Sequence, residues 1–357
     1  MNRKVLVIFI GFILVGSFIY LQRATITGHL MERVAEQRIG QTLLSELNDG
    51  LHVLLCGAGG PLADPKRSGP CVAIIAGETI VIVDAGSGGS RQLARMQVPV
   101  GNIDTQFLTH FHSDHIDGLG EMAMMRWINA GNDAPLPVIG PIGTKNVVNG
   151  FNQAYSVDSA YRHQHHGDKV APLSGAGMTA HEFQPPAEGE MVTVFEKGDL
   201  LVRALAVDHL PVDPAVAYRF DYKGRSALIS GDTKKSTNLE DMANGVDLLV
   251  HEALAPNLVA IMNNAARKNG NAILEKVTED IIDYHASPVE VAETAEAAKV
   301  GHLLYYHVVP PLIAPGMEAA FLDGVDAAYD GTYTVGVDGT IISLAAYSDG
   351  IETGKLK

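Results

Sequence analysis

The sequence predicts an α/β fold, and three features of the chain support this class. Segments with strand character alternate with helical segments from about residue 51 onward. Polar residues gather where the predicted strands end, which is the edge at which open α/β sheets place their functional sites. The chain has 357 residues, of which 46% are hydrophobic, enough for one large core or two small ones. The sustained alternation favours one domain.

The N-terminal residues indicate a membrane-targeting segment. Arg3 and Lys4 precede an apolar run from Val5 to Leu21, whose length lies between a signal-peptide core and a full membrane span. Positive charge ahead of the run predicts that the N-terminus stays in the cytoplasm and the remainder is exported. No clear cleavage site follows, so residues 1–23 are predicted to be an uncleaved signal anchor, with a cleaved signal peptide as the alternative. The catalytic part is then periplasmic, anchored at the inner membrane.

Residues 24–47 carry apolar positions among charged ones and predict an amphipathic linker helix. The main domain is therefore expected over residues 48–357. Its first strand is predicted at Leu51–Cys56, and a strand pair follows at 71–75 and 79–83, turning at Gly77-Glu78.

Cys56 and Cys71 are the two cysteines of the chain. In an exported protein they would form a disulfide across a hairpin-like connection. Two buried free thiols are an equally good interpretation, so the sequence leaves both open.

The densest group of metal-binding residue types follows a predicted strand at 103–108. His110, His112, Asp114 and His115 place three imidazoles and a carboxylate in one short stretch. His110 and His112 are two positions apart, so in an extended segment their side chains leave on the same side. Neutral imidazole and carboxylate are the usual ligands of divalent metals such as zinc. The stretch therefore predicts a metal site.

Later segments bring further polar residues to strand ends. A helix over 271–284 leads to His285, and another helix begins at the Ser287 N-cap, with Pro288 in its first turn and Glu290 three residues after the cap. Residues 332–337 and 340–345 are predicted to form a hairpin. The residues that the other strands deliver are His209, Asp232, Glu252 and His307.

The pattern His-x-His-x-Asp-His resembles the metal-binding signature of the metallo-β-lactamase superfamily. The resemblance implies an αββα sandwich, in which two mixed β-sheets are flanked by helices, here preceded by the anchor helix. It also implies two zinc ions, with iron or manganese as alternatives. Asp84, at the end of a strand, would orient the histidine loop. The implied ligands are His110, His112 and His209 for one ion, Asp114, His115 and His307 for the other, and Asp232 as a bridge.

Within the superfamily, the sequence resembles ribonuclease Z. Asp232 stands where many lactamases have cysteine, and the segments His251-Glu252-Ala253 and His285-Ala286-Ser287 are similar to two ribonuclease Z loops. The resemblance implies that Glu252 and His285 help to protonate the leaving group, while Asp114 also accepts a hydrogen bond from the nucleophile. The alternative is that Glu252 and His285 form a buried polar pair that supports the site. Leu254 and Ala286-Ser287 depart from the family's loops.

These features predict a dinuclear zinc-dependent hydrolase in which a metal-bridging hydroxide attacks a phosphodiester or a related small charged ester. The alternative is a β-lactamase or lactonase that opens a cyclic amide or ester. A membrane-anchored binding protein without catalysis is the hypothesis from another class. The net charge of −15 and the lack of a basic insertion argue against tight nucleic-acid binding. A small-molecule substrate is expected, and a homo-oligomer remains open.

Overall fold

The computed structural model describes residues 3–356; within the first helix it describes the side chains at positions 4, 5, 8, 9, 11–13 and 16–38. The chain divides into two compact units, one ending at Glu46 and one beginning at Leu47. The first unit contains α1 (Arg3–Arg38) and a short 3-10 turn at Leu43–Ser45.

Helix α1 contains the segment predicted as an anchor, apart from Met1 and Asn2, which lie outside the described residues. It continues without a break through residues 23 and 24, where the anchor was predicted to give way to a separate linker helix, and it ends at Arg38. Among the side chains that the structure describes, no helix combines the length and the apolar character that crossing a membrane requires.

The second unit contains two mixed β-sheets. The strands are β1 (Gly50–Gly57), β2 (Cys71–Ala76), β3 (Thr79–Val83), β4 (Ile103–Phe107), β5 (Leu136–Pro141), β6 (Met178–Phe183), β7 (Val192–Lys197), β8 (Leu200–Ala206), β9 (Val216–Tyr222), β10 (Arg225–Ile229), β11 (Leu248–Leu254), β12 (His302–Val309), β13 (Thr332–Val335), β14 (Thr340–Ala345) and β15 (Ile351–Lys355). The first sheet has the order β15-β14-β1-β2-β3-β4-β5-β6, and the second has the order β13-β12-β11-β10-β9-β8-β7.

Helices connect these strands and cover the outer faces of both sheets. They are α2 (Gly89–Arg95), α3 (Ser113–Ile116), α4 (Leu119–Ala130), α5 (Thr144–His166), α6 (Thr237–Met242), α7 (Pro256–Lys268), α8 (Ala272–Asp280), α9 (Pro288–Ala297), α10 (Met317–Phe321) and α11 (Val325–Ala328). Helices α4 and α5 pack on the first sheet, and α6 and α9 pack on the second. The predicted sandwich of two mixed sheets flanked by helices is confirmed.

The main core lies between the two sheets. Alternate residues of the central strands point into it, such as Val53 and Leu55 of β1 and Val202 and Ala204 of β8, and these four are fully buried. Because successive side chains of a strand point to opposite faces, the intervening residues pack against the helices. Leu228 of β10, for example, belongs to a second buried cluster that includes residues of α6, α9 and α11.

A disulfide joins Cys56, near the end of β1, to Cys71, the first residue of β2. Both cysteines are fully buried. Of the two interpretations that the sequence allowed, the structure therefore contains the disulfide.

The prediction of a hairpin around Asp338-Gly339 is wrong. Strand β13 pairs with β12 in the second sheet, whereas β14 pairs with β1 in the first. The segment between them crosses from one sheet to the other, and the Asp338 carboxylate stabilises the crossing by accepting hydrogen bonds from the backbone amides of Ala58 (3.1 Å) and Ser68 (2.9 Å). A local turn signal does not reveal which sheet each strand will join.

Candidate metal centre

The histidine loop begins where β4 ends and is fixed by buried hydrogen bonds. The Tyr218 hydroxyl donates to the carbonyl of Leu108 (2.7 Å). One residue later, the Asp84 carboxylate accepts a hydrogen bond from the amide of Thr109 (2.9 Å). Asp84 also accepts from Nδ1 of His115 (2.7 Å), so the Nε2 atom of that ring is left to face the site.

Asp232 approaches this loop because the residue before it is glycine. Gly231 has a φ of +62°, and a Cβ at this position would lie 2.9 Å from Cβ of Thr109. A larger residue would meet both backbone strain and this contact. The glycine therefore allows β10 to deliver Asp232 to the centre of the histidine loop.

His307 reaches the site through a β-bulge in β12. Glu252 pairs with Tyr306 and Ala253 pairs with Val308, so His307 is the extra residue, with a φ of +45°. A bulge turns a side chain away from its regular direction. The sequence predicted that His307 ends its strand, whereas the strand continues to Val309.

The competing candidate on the same strand, His302, lies at the beginning of β12. It is buried, and its Nε2 is 3.0 Å from the Thr334 hydroxyl. The groups of metal-binding side chains found among the described residues include His307 but not His302.

The first group of converging side chains contains His110, His112 and His209, together with Asp232. Nε2 of His110 lies 3.1 Å from Nδ1 of His112, which is 3.5 Å from Nε2 of His209. Three nitrogen ligands of a tetrahedral ion with metal–nitrogen bonds of 2.0–2.1 Å would stand about 3.3 Å apart. The observed spacing therefore fits a single metal ion.

The second group contains Asp114, His115 and His307. Nε2 of His307 lies 3.2 Å from Oδ2 of Asp114, and Nε2 of His115 lies 3.7 Å from the same oxygen. Oδ2 of Asp232 is close to both groups: it lies 3.3 Å from His115 Nε2, 3.4 Å from His307 Nε2 and 3.8 Å from His110 Nε2. Asp232 thus occupies the position of a bridging carboxylate.

Buried polar atoms without hydrogen-bond partners also indicate that these residues could bind a metal ion. Oδ1 of Asp232 and Nε2 of His115 are buried and have no hydrogen-bond partner. Buried polar atoms are normally paired, so an ion of positive charge is the missing partner that the geometry suggests.

The electrostatics of the site point the same way. Burial lowers the pKa of His110 well below its usual value, which keeps this imidazole neutral and able to bind metal. Burial alone would raise the pKa of Asp232, but the facing imidazoles of His307 and His115 hold it well below its usual range. The centre thus combines a neutral His110 imidazole with an ionised Asp232 carboxylate.

Glu252 and His285 form a hydrogen-bonded pair beside this centre. Oε1 of Glu252 accepts from Nδ1 of His285 (3.0 Å) and from the amide of Ala286 (3.1 Å). Glu252 is fully buried, whereas His285 faces the cavity at the metal centre. Burial would lower the pKa of His285, but the Glu252 carboxylate outweighs it and the pKa rises to about 9. Glu252 therefore acts on the site through His285.

Tyr284 is a residue of the site that the sequence did not reveal. Its carbonyl accepts a hydrogen bond from Nδ1 of His209 (2.8 Å), which leaves Nε2 of that histidine to face the centre. Its ring lies 4.9 Å from the His209 ring and 4.7 Å from the His285 ring. The sequence predicts a helix at this position, and no local pattern marks Tyr284 as part of the site.

Two adjacent groups of imidazole and carboxylate ligands at the strand ends of an αββα sandwich define a metal-dependent hydrolase. The chain belongs to the metallo-β-lactamase superfamily, because residues 64–269 match the sequence model of the Metallo-beta-lactamase superfamily. The matched range includes His110, His112, His209 and Asp232 and ends before His307. The superfamily and the hydrolase class predicted from the sequence are confirmed.

Curated relatives extend the similarity beyond that range. The chain is 35% identical over 266 residues to "Ribonuclease Z" of Mycobacterium avium (strain 104), covering 74% of this chain and 88% of the relative. It is 34% identical over 291 residues to "Ribonuclease Z" of Mycobacterium bovis (strain BCG / Pasteur 1173P2), covering 81% and 96%. The predicted similarity to ribonuclease Z is therefore confirmed.

Solved structures share the fold at lower sequence identity. The metallo-β-lactamase fold protein YhfI from Bacillus subtilis has a TM-score of 0.60 and 17% identity, covering 83% of this chain and all (100%) of that chain. The short form of human tRNase Z has a TM-score of 0.58 and 20% identity, covering 82% and 99%. These likenesses support the architecture of the sandwich.

Proposed function

We propose that the protein is a dinuclear zinc-dependent phosphodiesterase that acts on small charged phosphodiesters. The observation that carries the proposal is the position of Asp232, whose Oδ2 lies between imidazoles of both ligand groups. Zinc is favoured because imidazole and carboxylate are its usual ligands. The curated relatives named ribonuclease Z support a phosphodiester as the group cleaved.

In this proposal, His110, His112 and His209 would hold one ion, Asp114, His115 and His307 would hold the other, and Asp232 would contribute to both. When bound, the ions supply an activated water at neutral pH and polarise the phosphoryl oxygens. Asp114 orients the attacking water by accepting its hydrogen bond. His285 donates a proton to the leaving oxygen, and Glu252 holds the His285 ring in place.

A small diester is preferred to a long polynucleotide because of the charge of the chain. With 26 Lys and Arg against 41 Asp and Glu, the protein repels a polyanion at long range. Binding of many phosphates requires clustered cations. The substrate is therefore proposed to present one phosphodiester group to the metal ions.

The test combines metal content with turnover of three substrates by the full chain. Bis(p-nitrophenyl) phosphate, a short oligoribonucleotide and a chromogenic cephalosporin are each assayed after purification without chelator. We expect about two zinc ions per chain by mass spectrometry and turnover of the phosphate diester. Turnover of the cephalosporin alone would refute the phosphodiesterase proposal, and the absence of bound metal would refute the dinuclear centre.

A matched pair of variants on β12 separates ligand loss from loss of stability. His307→Ala and His302→Ala each remove a buried imidazole from the same strand, but only His307 faces the ligand groups. We expect His307→Ala to lose about one ion and to lose at least 10²-fold in turnover, while His302→Ala retains both ions. Equal metal content in the two variants would contradict the assignment of His307.

We further propose that the N-terminal segment anchors the protein at the inner membrane with the catalytic unit in the periplasm. The apolar run from Val5 to Leu21 behind Arg3 and Lys4 supports this orientation. The disulfide between Cys56 and Cys71 is typical of oxidising compartments. Protease treatment of spheroplasts should degrade the catalytic unit without lysis; protection until lysis would refute the export.

A further inference from the structure

The metal centre opens into a cavity of about 270 Å³ that has one apolar wall. His112, Asp114, Asp232 and His307 lie at its polar end. The opposite wall is built by α7, by α8, by the end of β11 and by the loop after β1. Its apolar residues include Leu62, Leu254, Val259, Met262, Leu274 and Val277.

The wall has no positive charge that would bind an anion. Among the described residues that line the cavity, none is Lys or Arg. On α7 and α8, Arg267 pairs with Glu275 (2.8 Å), Lys276 pairs with Asp280, and Lys268 does not line the cavity. A second phosphate or a sugar–phosphate backbone would therefore lose its hydration here without gaining a charged partner.

The size of the cavity suits an apolar group of moderate size. A dry cavity of about 150 Å³ lined by Leu, Ile and Phe binds benzene, and this one is larger. The apolar surface also continues outward, because Val277 lines the cavity and is still 46% exposed. An aryl group or a short alkyl chain would thus be buried next to the metal centre.

The position of His285 indicates which part of the substrate enters the cavity. His285 lines the same cavity, and its Nδ1 is held by the buried Glu252, so the rest of the ring is available to a substrate in this cavity. A proton donor must lie beside the oxygen that leaves. The group that fills the apolar wall is therefore attached to the leaving oxygen.

The geometry points to a substrate class: phosphodiesters whose leaving alcohol carries an aryl or alkyl group that fills the wall formed by α7 and α8. This inference rests on the proposed phosphodiesterase function. In the reaction, a water oxygen forms a bond to phosphorus while the bond from phosphorus to the apolar alcohol breaks. The alcohol takes its proton from His285, the phosphomonoester is released, and the proton that the attacking water loses restores the protonated form of His285.

The decisive substrate is benzyl methyl phosphate, because either ester bond can break. The full chain loaded with zinc is incubated with it, and the two alcohols are quantified by chromatography. We expect benzyl alcohol to exceed methanol by at least tenfold. Equal release, or an excess of methanol, would overturn the assignment of the cavity to the leaving group.

A binding series tests the wall without turnover. Methyl-, butyl- and hexylphosphonate are titrated into the zinc-loaded protein by calorimetry. Each methylene buried against the wall should tighten binding by about fourfold, the ratio that corresponds to ~0.8 kcal/mol, until the cavity is full. Affinity that does not change with chain length would refute the apolar site.

Two substitutions on α8 provide a matched comparison. Val277 and Ile273 lie one helical turn apart and are 46% and 80% exposed, but only Val277 lines the cavity. Val277→Asn should lower the hexyl-to-methyl affinity ratio by about fivefold, whereas Ile273→Asn should leave it unchanged. Equal effects would contradict the wall as a binding surface.

The outcomes separate this inference from the proposed function. If no phosphodiester is hydrolysed, the proposed function fails, while the phosphonate series still decides whether the wall binds apolar groups. If diesters are hydrolysed without preference for an apolar alcohol, the inference alone fails. A third outcome would also overturn the inference: phosphonate affinity does not change with chain length, and Val277→Asn weakens binding of the protein to phosphatidylcholine vesicles. The apolar wall would then be a membrane-binding surface.

Discussion

Replacement of Asp84 by Asn tests whether this carboxylate controls metal binding without touching the metal. Asp84 is 1% exposed, and one of its oxygens accepts from Nδ1 of His115 at 2.7 Å. The other accepts from the amide of Thr109 at 2.9 Å. An asparagine has one acceptor oxygen and one donor group, so in either orientation its NH₂ group must face one of these two donors.

The expected magnitude follows from this single mismatch. A hydrogen bond to a charged group contributes about 1.5–3 kcal/mol, and about 1.4 kcal/mol corresponds to a tenfold change in affinity. If the NH₂ group faces His115, the ring must change tautomer to accept from it, and the proton then moves to the Nε2 atom that would bind metal. Metal affinity should fall about 10–100-fold, as is usual for groups that orient ligands.

The assay is competition for zinc between the protein and a chromogenic chelator. Asp117→Asn is the matched control, because Asp117 lies in the same loop region but is exposed and accepts only from the Ser87 hydroxyl (3.0 Å). It removes the same charge without disturbing a ligand. If Asp84→Asn binds zinc as tightly as Asp117→Asn and loses only folding stability, the orienting role is refuted.

Three further outcomes are expected. His285→Ala should lower hydrolysis of benzyl methyl phosphate by about 10²–10⁴-fold and that of bis(p-nitrophenyl) phosphate by far less, because p-nitrophenolate leaves without a proton; equal losses would contradict the acid role. The double variant Cys56→Ser, Cys71→Ser should have a free energy of unfolding about 3 kcal/mol lower than the wild type, because the disulfide closes a loop with a sequence separation of 15. Urea unfolding measures this, and the reduced wild-type protein should have the same free energy of unfolding as the variant. Dialysis against chelator should lower the melting temperature, because zinc at 100 times its Kd stabilises by about 2.7 kcal/mol; calorimetry showing no shift would indicate that no zinc was bound.

Local chemistry made parts of the fold predictable. The Ser287 cap with Pro288 and Glu290 predicted the start of α9, and the structure confirms a capping box there. The grouping of His110, His112, Asp114 and His115 was predictable because these residues are close in sequence. Asp232 and His209 were placed by resemblance, and the structure brings them to the same centre.

Other features depend on contacts between distant segments. Helix α7 has Leu258, Val259 and Met262 at helical spacing, so the sequence contained a signal for the helix. The position of this helix beside the metal centre, however, depends on contacts with segments that are distant in sequence, and the pattern within the helix does not specify them. The bulge at His307 and the crossing at Asp338 likewise depend on which strands become neighbours, and no pattern within either segment specifies that.

The order of strands in the first sheet has a consequence for biosynthesis. Strand β1 begins at Gly50, and its partner β14 ends at Ala345, so one edge of this apolar strand stays unpaired until about 290 further residues have been translated. Unpaired apolar edges promote aggregation, and pairing between segments so far apart in sequence is slow. The catalytic unit is therefore expected to complete its first sheet only after residue 345 has emerged from the ribosome.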